Sequence, residues 1–214
     1  MGELIVSTNM TLDGVIEDPT GEEGLAGGGW FGEMAEADWA VWAARATEEA
    51  LAASALLLGA RSYEWFAQRW AGRAGLWGER LQALPKYVVS RRRTTIDWGP
   101  VTVLGGVPAV DVRALKDLVD GDTLVYGSGR LLGTLFDHGL VDELRLFVFP
   151  TVLGSGRRLF EEVATPHRLD LIASEALAGG VSRFDYRVRS REPGGDAISR
   201  RSAPLQRNGA IVGE

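Results

Sequence analysis

Two hydrophobic patterns alternate along this chain. The first is the short apolar run: Leu4-Ile5-Val6, Ala55-Leu56-Leu57-Leu58, Lys86-Tyr87-Val88-Val89-Ser90, Val101 to Leu104, Thr123-Leu124-Val125-Tyr126 and Leu144 to Phe149. Runs this short, bounded by turn residues, predict strands, and continuous apolarity suits a sheet covered on both faces. The second is helical spacing. Trp39, Trp42, Ala43, Ala46 and Ala50 predict a helix from near Glu33 to Ala53. Tyr63, Phe66, Ala67 and Trp70 predict another, and Leu81 to Leu84 a short piece ending at Pro85. Val112, Leu115, Leu118 and Val119 mark a helix that Gly121 ends, and Leu131, Leu132, Leu135 and Phe136 mark the last. Glu17 to Gly29, with five glycines, one proline and four acids, reads as a mobile loop, and Ala71 to Gly78 as a glycine-rich one.

The C-terminal part departs from this alternation. Arg168 to Glu175 and Val181 to Val188 read as strands joined through Gly179-Gly180. Phe184, Tyr186 and Val188 alternate with Arg183, Asp185 and Arg187, which predicts one buried and one wet face. Residues 190–214 are polar and aperiodic and read as a disordered tail. The expectation is one three-layer α/β/α domain over residues 1–189, its mixed sheet mainly parallel, with an antiparallel hairpin at one edge.

Glycine places candidate chemistry on this frame. Gly127-Ser128-Gly129 breaks a strand and opens a helix, a unit that presents backbone N–H groups to a phosphate. Gly59-Ala60-Arg61-Ser62 repeats the junction, although alone it reads as a simple helix start. Ser90-Arg91-Arg92-Arg93 ends a strand, where a planar guanidinium can bind phosphate through two bonds, or can be a solvated loop. Asp13-Gly14 is a turn signal, and Asp13 alone reads as a carboxylate capping local N–H groups. Trp30 precedes the first helix and lacks its spacing, so it and Val15-Ile16 are candidate pocket walls. Arg157 and Arg158 follow a second glycine loop, Gly154-Ser155-Gly156, and read as substrate-phosphate ligands or as plain loop.

Composition narrows the classes. The formal net charge of -6 argues against a nucleic-acid binder. Cysteine is absent, which excludes disulfides, thiolate catalysis and cysteine-ligated zinc, and with only His138 and His167 as imidazoles a multi-histidine metal site is nearly excluded. The N-terminus has an acid at Glu3 and no basic segment, so no signal peptide is expected; with no run long enough to span a bilayer, the expected location is the cytoplasm, away from membranes.

Thr11-Leu12-Asp13-Gly14, Leu57-Leu58-Gly59-Ala60-Arg61-Ser62-Tyr63-Glu64, Lys86-Tyr87-Val88-Val89-Ser90 and Leu124 to Phe160, in that order, resemble the dihydrofolate-reductase-like superfamily. More narrowly, Glu3 to Arg189 is similar to stand-alone relatives of the reductase half of the bifunctional riboflavin-biosynthesis deaminase–reductase. The resemblance implies NADPH as hydride donor, a small polar substrate and a homodimer. It implies that Gly59, Arg61 and Ser62 line the cofactor's phosphate and ribose side, that Ser90 and Arg91 hold the 2′-phosphate, and that Gly127, Ser128, Gly129, Arg130 and Leu131 cradle the pyrophosphate. Asp13 would sit near the nicotinamide and supply a proton if burial raised its pKa; water is the other source. Ser62 stands where the family commonly has Thr and keeps the hydroxyl. Dihydrofolate reductases carry a carboxylate on the first helix; Asp38 is the candidate here, or it faces solvent. Three readings remain: a ribosylamino-pyrimidine reductase, a same-fold reductase of a pterin or another carbonyl or imine, and a non-catalytic nucleotide-binding dimer.

Overall fold

The computed structural model describes residues 2–91 and 97–190. Arg92, Arg93 and the tail beyond Ser190 therefore lie outside the described residues. Eight strands form one sheet: β1 (Leu4–Thr11), β2 (Ala55–Gly59), β3 (Lys86–Val89), β4 (Val101–Leu104), β5 (Thr123–Tyr126), β6 (Glu143–Phe149), β7 (Leu169–Ala176) and β8 (Ser182–Val188). Their order is β4-β3-β2-β5-β1-β6-β8-β7. The first six are mutually parallel, while β8 runs antiparallel to both β6 and β7. The expected mixed sheet with an antiparallel hairpin at one edge is what forms.

Helices α1 (Glu36–Ala52), α2 (Ala60–Trp70) and α3 (Leu76–Ala83) cover one face, and α4 (Pro108–Leu118) and α5 (Gly129–Asp137) the other. The period-2 alternation of the strands feeds both cores. Leu4 and Val6 of β1 join Val112, Leu115, Leu132 and Leu135 on the α4–α5 side, whereas Ile5 joins Ala50, Tyr63 and Leu81 on the other. A third cluster, with Trp30, Met34, Phe147, Phe149, Leu177 and Val181, packs against Trp39, Val41 and Trp42 of α1.

Three elements differ from expectation. Strand β1 continues to Thr11, because Ser7 to Met10 pair with β6 while their polar groups find partners; Asn9 Oδ1 accepts the Trp42 indole N–H at 3.0 Å. Helix α3 begins at Leu76, inside the predicted loop. Its Gly78 is a packing glycine, since a Cβ there would lie 3.3 Å from Trp70 Cε3. The third is the predicted wet face of β8, which lies under α1. Arg183 is 11% exposed, with Glu49 Oε1 at 3.1 Å and Asp185 Oδ1 at 2.8 Å. Charge on a strand signals solvent only where no other element covers it.

Candidate functional site

The parallel strands end together, and their loops gather the candidate residues. Gly59 closes β2 and opens α2; Gly127-Ser128 closes β5 and opens α5. Neither helix has a side-chain cap at its N-terminus among the described residues, so no side chain of this kind occupies the first N–H groups of either. Both ends carry positive partial charge, and the exposed Arg61 and Arg130 add full charge beside them.

The two turns are fastened to one another. The Ser128 N–H donates to Ser62 Oγ at 2.8 Å, and the Gly59 N–H donates to Ser128 Oγ at 2.9 Å. Ser128 Oγ donates in turn to the Tyr126 carbonyl at 3.0 Å. Ser128 is buried at 8% exposure, with a left-handed φ of 61° that follows a left-handed Gly127. The Leu131 N–H is also taken, by the Ser128 carbonyl at 2.7 Å. The pyrophosphate cradle expected over Gly127 to Leu131 thus narrows. Ser128 and Leu131 spend their N–H groups inside the protein, and α5 offers those of Gly129 and Arg130. Close approach is built in at Gly129, where a Cβ would lie 2.4 Å from Ile16 Cδ1. Ile16 is thereby placed against the turn, as a pocket wall would be. Ser90 follows the end of β3, beside Gly59 across the β2–β3 ladder, and Arg91 beyond it is exposed.

The loops after β1 and β6 differ from the sequence-based assignment. Asp13 accepts the Thr11 hydroxyl at 2.6 Å, the Gly154 N–H at 2.8 Å and the Leu153 N–H at 3.3 Å. The Thr11 bond first, then the backbone bonds, hold its pKa down at about 2. The raised pKa required of a proton donor is therefore not met, and Asp13 acts as the turn carboxylate that ties two loops together. Trp30 is 1% exposed, packs edge-on against Phe149 at 5.1 Å and donates its indole N–H to the Glu17 carbonyl. It belongs to the core, because the 3-10 helix Trp30–Glu33 turns it inward. Val15 is fully buried and bridges Arg158, behind the loop rather than facing a pocket. Arg157 is ion-paired to Glu17 at 3.1 Å and Arg158 lies 3.6 Å from Asp13, so both are engaged within the loops.

The first helix carries two buried carboxylates. Asp38 is 1% exposed, not solvated; its Oδ1 accepts the Gly179 N–H at 2.8 Å, which pins the β7–β8 turn to α1. Glu49 lies on the buried face of the same helix. Burial pushes its pKa up, against the opposing pull of Ser7, Arg183 and Arg145. Its oxygens lack a well-aligned hydrogen bond, although Arg183 Nη2 is 3.1 Å away. Sequence reasoning missed Glu49 because one acid on a helix carries no sign of which face it takes.

On the α1 side, half-buried aromatics border the ends of the central strands. Phe66 stacks on Tyr126 at 5.9 Å, Trp77 meets Trp42 at 6.3 Å, and Arg69 covers the Trp65 ring at 4.2 Å. The loop before α1 reaches this wall through an ion pair between Glu22 and Arg69. Flat apolar walls beside two helix N-termini suit a planar heterocycle. A groove of ≈ 400 Å³ between α1 and β7 lies elsewhere, and its lining charges already pair, as Arg45 does with Glu175 at 3.2 Å. Among the described residues there is no cluster fit to hold a metal ion, and no helix is long and apolar enough to cross a membrane.

The comparisons with known proteins agree with this architecture. The Bacillus subtilis (strain 168) protein YyaP is 27% identical over 191 residues, covering 86% of this chain and 93% of its own. A Shewanella sp. PV-4 structure named for riboflavin biosynthesis superposes with TM-score 0.63 at 19% identity, covering 88% of this chain and 99% of the other. The Thermotoga maritima diaminohydroxyphosphoribosylaminopyrimidine deaminase/5-amino-6-(5-phosphoribosylamino)uracil reductase gives 0.57 at 16%, over 88% of this chain and 57% of that one. Dihydrofolate reductase from Enterococcus faecalis, complexed with NADP(H), gives 0.57 at 15%, over 88% and 98%. At these identities the structures establish the dihydrofolate-reductase-like fold. The RibD C-terminal domain model matches residues 3–182, nearly the whole described chain, and the protein therefore belongs to the RibD C-terminal domain family.

Proposed function

We propose that this protein is an NADPH-dependent reductase acting on a small polar substrate. The observation that carries the reading is the pair of uncapped helix N-termini, α2 and α5, joined through Ser62 and Ser128 and flanked by Arg61 and Arg130. Two positive helix ends held side by side fit a pyrophosphate, and Ser90 and Arg91 at the neighbouring strand end fit a further phosphate. Family membership supports the oxidoreductase class, and the reductase named in the Thermotoga relative makes 5-amino-6-(5-phosphoribosylamino)uracil the first substrate to test.

The bound cofactor supplies a hydride; the chain supplies orientation and dry walls. Ile16 and Gly129 hold the floor of the site, while Trp42, Phe66, Trp77 and Tyr126 shape the side toward α1. Asp13 keeps its negative charge through the neutral range, so the accompanying proton comes from water. One observation favours a second substrate class. Arg157 and Arg158 are paired with Glu17 and Asp13, which leaves neither for a substrate phosphate and suits an unphosphorylated heterocycle such as a pterin. The working unit in this reading is a homodimer.

Calorimetry with NADPH and NADH tests the cofactor assignment. A charge-assisted bond to the 2′-phosphate is worth about 1.5–3 kcal/mol, so NADPH should bind more tightly by that amount, and Arg91→Ala should remove most of the difference. Equal affinity for the two would sink it. Turnover with the ribosylamino-pyrimidine and with dihydrofolate separates the substrate readings. Tight NADPH binding without oxidation on any substrate of such a panel would favour the non-catalytic dimer.

A further inference from the structure

Ser128 occupies a backbone position where glycine would be the default. Its φ of 61° is left-handed, and Ser128 and Asp18 are the described residues other than glycine that adopt such an angle. Backbone outliers of this kind persist where the surroundings over-determine them. Here the surroundings are specific. A serine hydroxyl has one hydrogen and two lone pairs. Ser128 gives its hydrogen to the Tyr126 carbonyl of its own strand end and takes the Gly59 N–H from the neighbouring one. Its backbone N–H crosses back to Ser62 Oγ, which stands 66 residues earlier in the first turn of α2. Ser62 thereby serves as acceptor through one lone pair and keeps its own hydrogen to give.

We infer that Ser128 is a positioning residue: its hydroxyl and N–H lock the β2–α2 and β5–α5 turns at fixed separation and commit Ser62 to donate its hydroxyl hydrogen to the phosphate group held between them. This rests on the NADPH reading and sharpens it. Ser128 itself touches no ligand. The N–H groups of α2 and those of Gly129 and Arg130 converge on one anion only while the two turns keep their spacing, and the chain from Ser128 N–H through Ser62 to an acceptor strengthens along its length. The short side chain also leaves room that larger ones would not. A Cβ on Gly127, itself left-handed, would sit 3.1 Å from Ser62 Oγ, so the turn that carries Ser128 has little space for a side chain there.

The test measures NADPH affinity by calorimetry, together with melting temperature, in Ser128→Ala, Ser128→Gly, Ser62→Ala and Ser62→Thr. Ser128→Ala and Ser62→Ala should each weaken NADPH about tenfold, and the double variant should lose less than the product of the two. Ser128→Gly is the informative variant, because it relieves the left-handed backbone. It should melt at or above Ser128→Ala and still bind NADPH as weakly. Ser62→Thr restores the hydroxyl and should bind like the wild type. Adenosine 2′-monophosphate, which reaches only the Ser90–Arg91 end, should bind all variants equally and so reports intact folding. The inference is overturned if Ser128→Gly binds NADPH like the wild type, or if the variants lose both ligands in parallel. A wild-type protein that binds no NADPH overturns the nucleotide reading, and this inference with it.

Discussion

Lys86 illustrates how a single buried charge is tolerated. It is the first residue of β3 and 1% exposed, with no acidic partner for its ammonium among the described residues. Nζ donates to the carbonyls of Gln82 at 2.9 Å and Leu84 at 2.8 Å and lies 4.7 Å from the centre of the Trp98 ring. Those carbonyls belong to the C-terminal end of α3, where helical C=O groups lack partners and a cation is favoured. Burial still lowers the Lys86 pKa from 10.5 to about 8. The native state therefore releases this proton before the unfolded chain does. Between about 8 and 10.5 the unfolded state binds more protons, so the Lys86 contribution to stability rises with pH across that window and is flat below it. Lys86→Met should cost ~1–3 kcal/mol, because two buried carbonyls lose their donor, and should also remove this rise. Urea unfolding on both sides of the window checks it; a variant with the wild-type slope would place the titration elsewhere.

Among elements, the loop between β1 and α1 departs most from its sequence impression. Five glycines and four acids give the composition of a mobile segment, yet the loop folds around one buried acid. Asp18 is 1% exposed; its carboxylate accepts the N–H groups of Glu23 and Leu25, and its carbonyl those of Gly21 and Gly29. Burial opposes the charge, but these backbone bonds outweigh it and the pKa is lowered. Asp18→Ala should loosen the loop locally by ~1–3 kcal/mol, seen as faster proteolysis within residues 17–29, while the global melting temperature changes little. Cleavage at the wild-type rate would mean that the ion pairs from Glu17 to Arg157 and from Glu22 to Arg69 hold the loop without it. The same contrast explains what could be read from the chain. The parallel strands were legible because short continuous apolar runs bounded by turn residues, such as Ala55 to Leu58, suit a doubly covered sheet. Gly127 to Gly129 was legible as a strand–helix turn for the same reason. The bond from Ser128 to Ser62 was not, since it joins two hydroxyl residues 66 positions apart with no local signature. Trp30 was taken for a pocket wall because position relative to a turn says little about which way a side chain points, whereas the turn signal Asp13-Gly14 did point to the capping bonds that Asp13 makes.

At the scale of the whole molecule, the sheet has two edges, and they differ. Strand β7 is the outermost element on one side, with Leu171 56% and Ile172 51% exposed. Beside it on β8, Phe184 and Tyr186 are half-buried and stacked 6.2 Å apart, and Leu171 pairs directly with Tyr186. Among the described residues no helix covers this end of the sheet on the α4–α5 side, so its apolar face continues from the core to the exposed Leu171 and Ile172. A β-bulge between Leu171 and Ala173 breaks the edge, which disfavours addition of another strand and leaves packing of the face. The homodimer proposed above would close by bringing the matching apolar face of a second copy across a two-fold axis, the commonest arrangement for such an assembly. A stable interface of this kind buries about 1,600 Å² in total, so β7 and β8 would need to engage over most of their length. The wild-type protein should therefore sediment as a dimer. Leu171→Asp should shift it to a monomer with unchanged far-ultraviolet dichroism, since the side chain is not part of the single-chain core. Because the glycine turns lie on strands β2 and β5, away from this edge, the monomeric variant should bind NADPH as the parent does. A wild type that sediments as a monomer, or a Leu171→Asp variant that remains a dimer, would remove β7 and β8 as the interface.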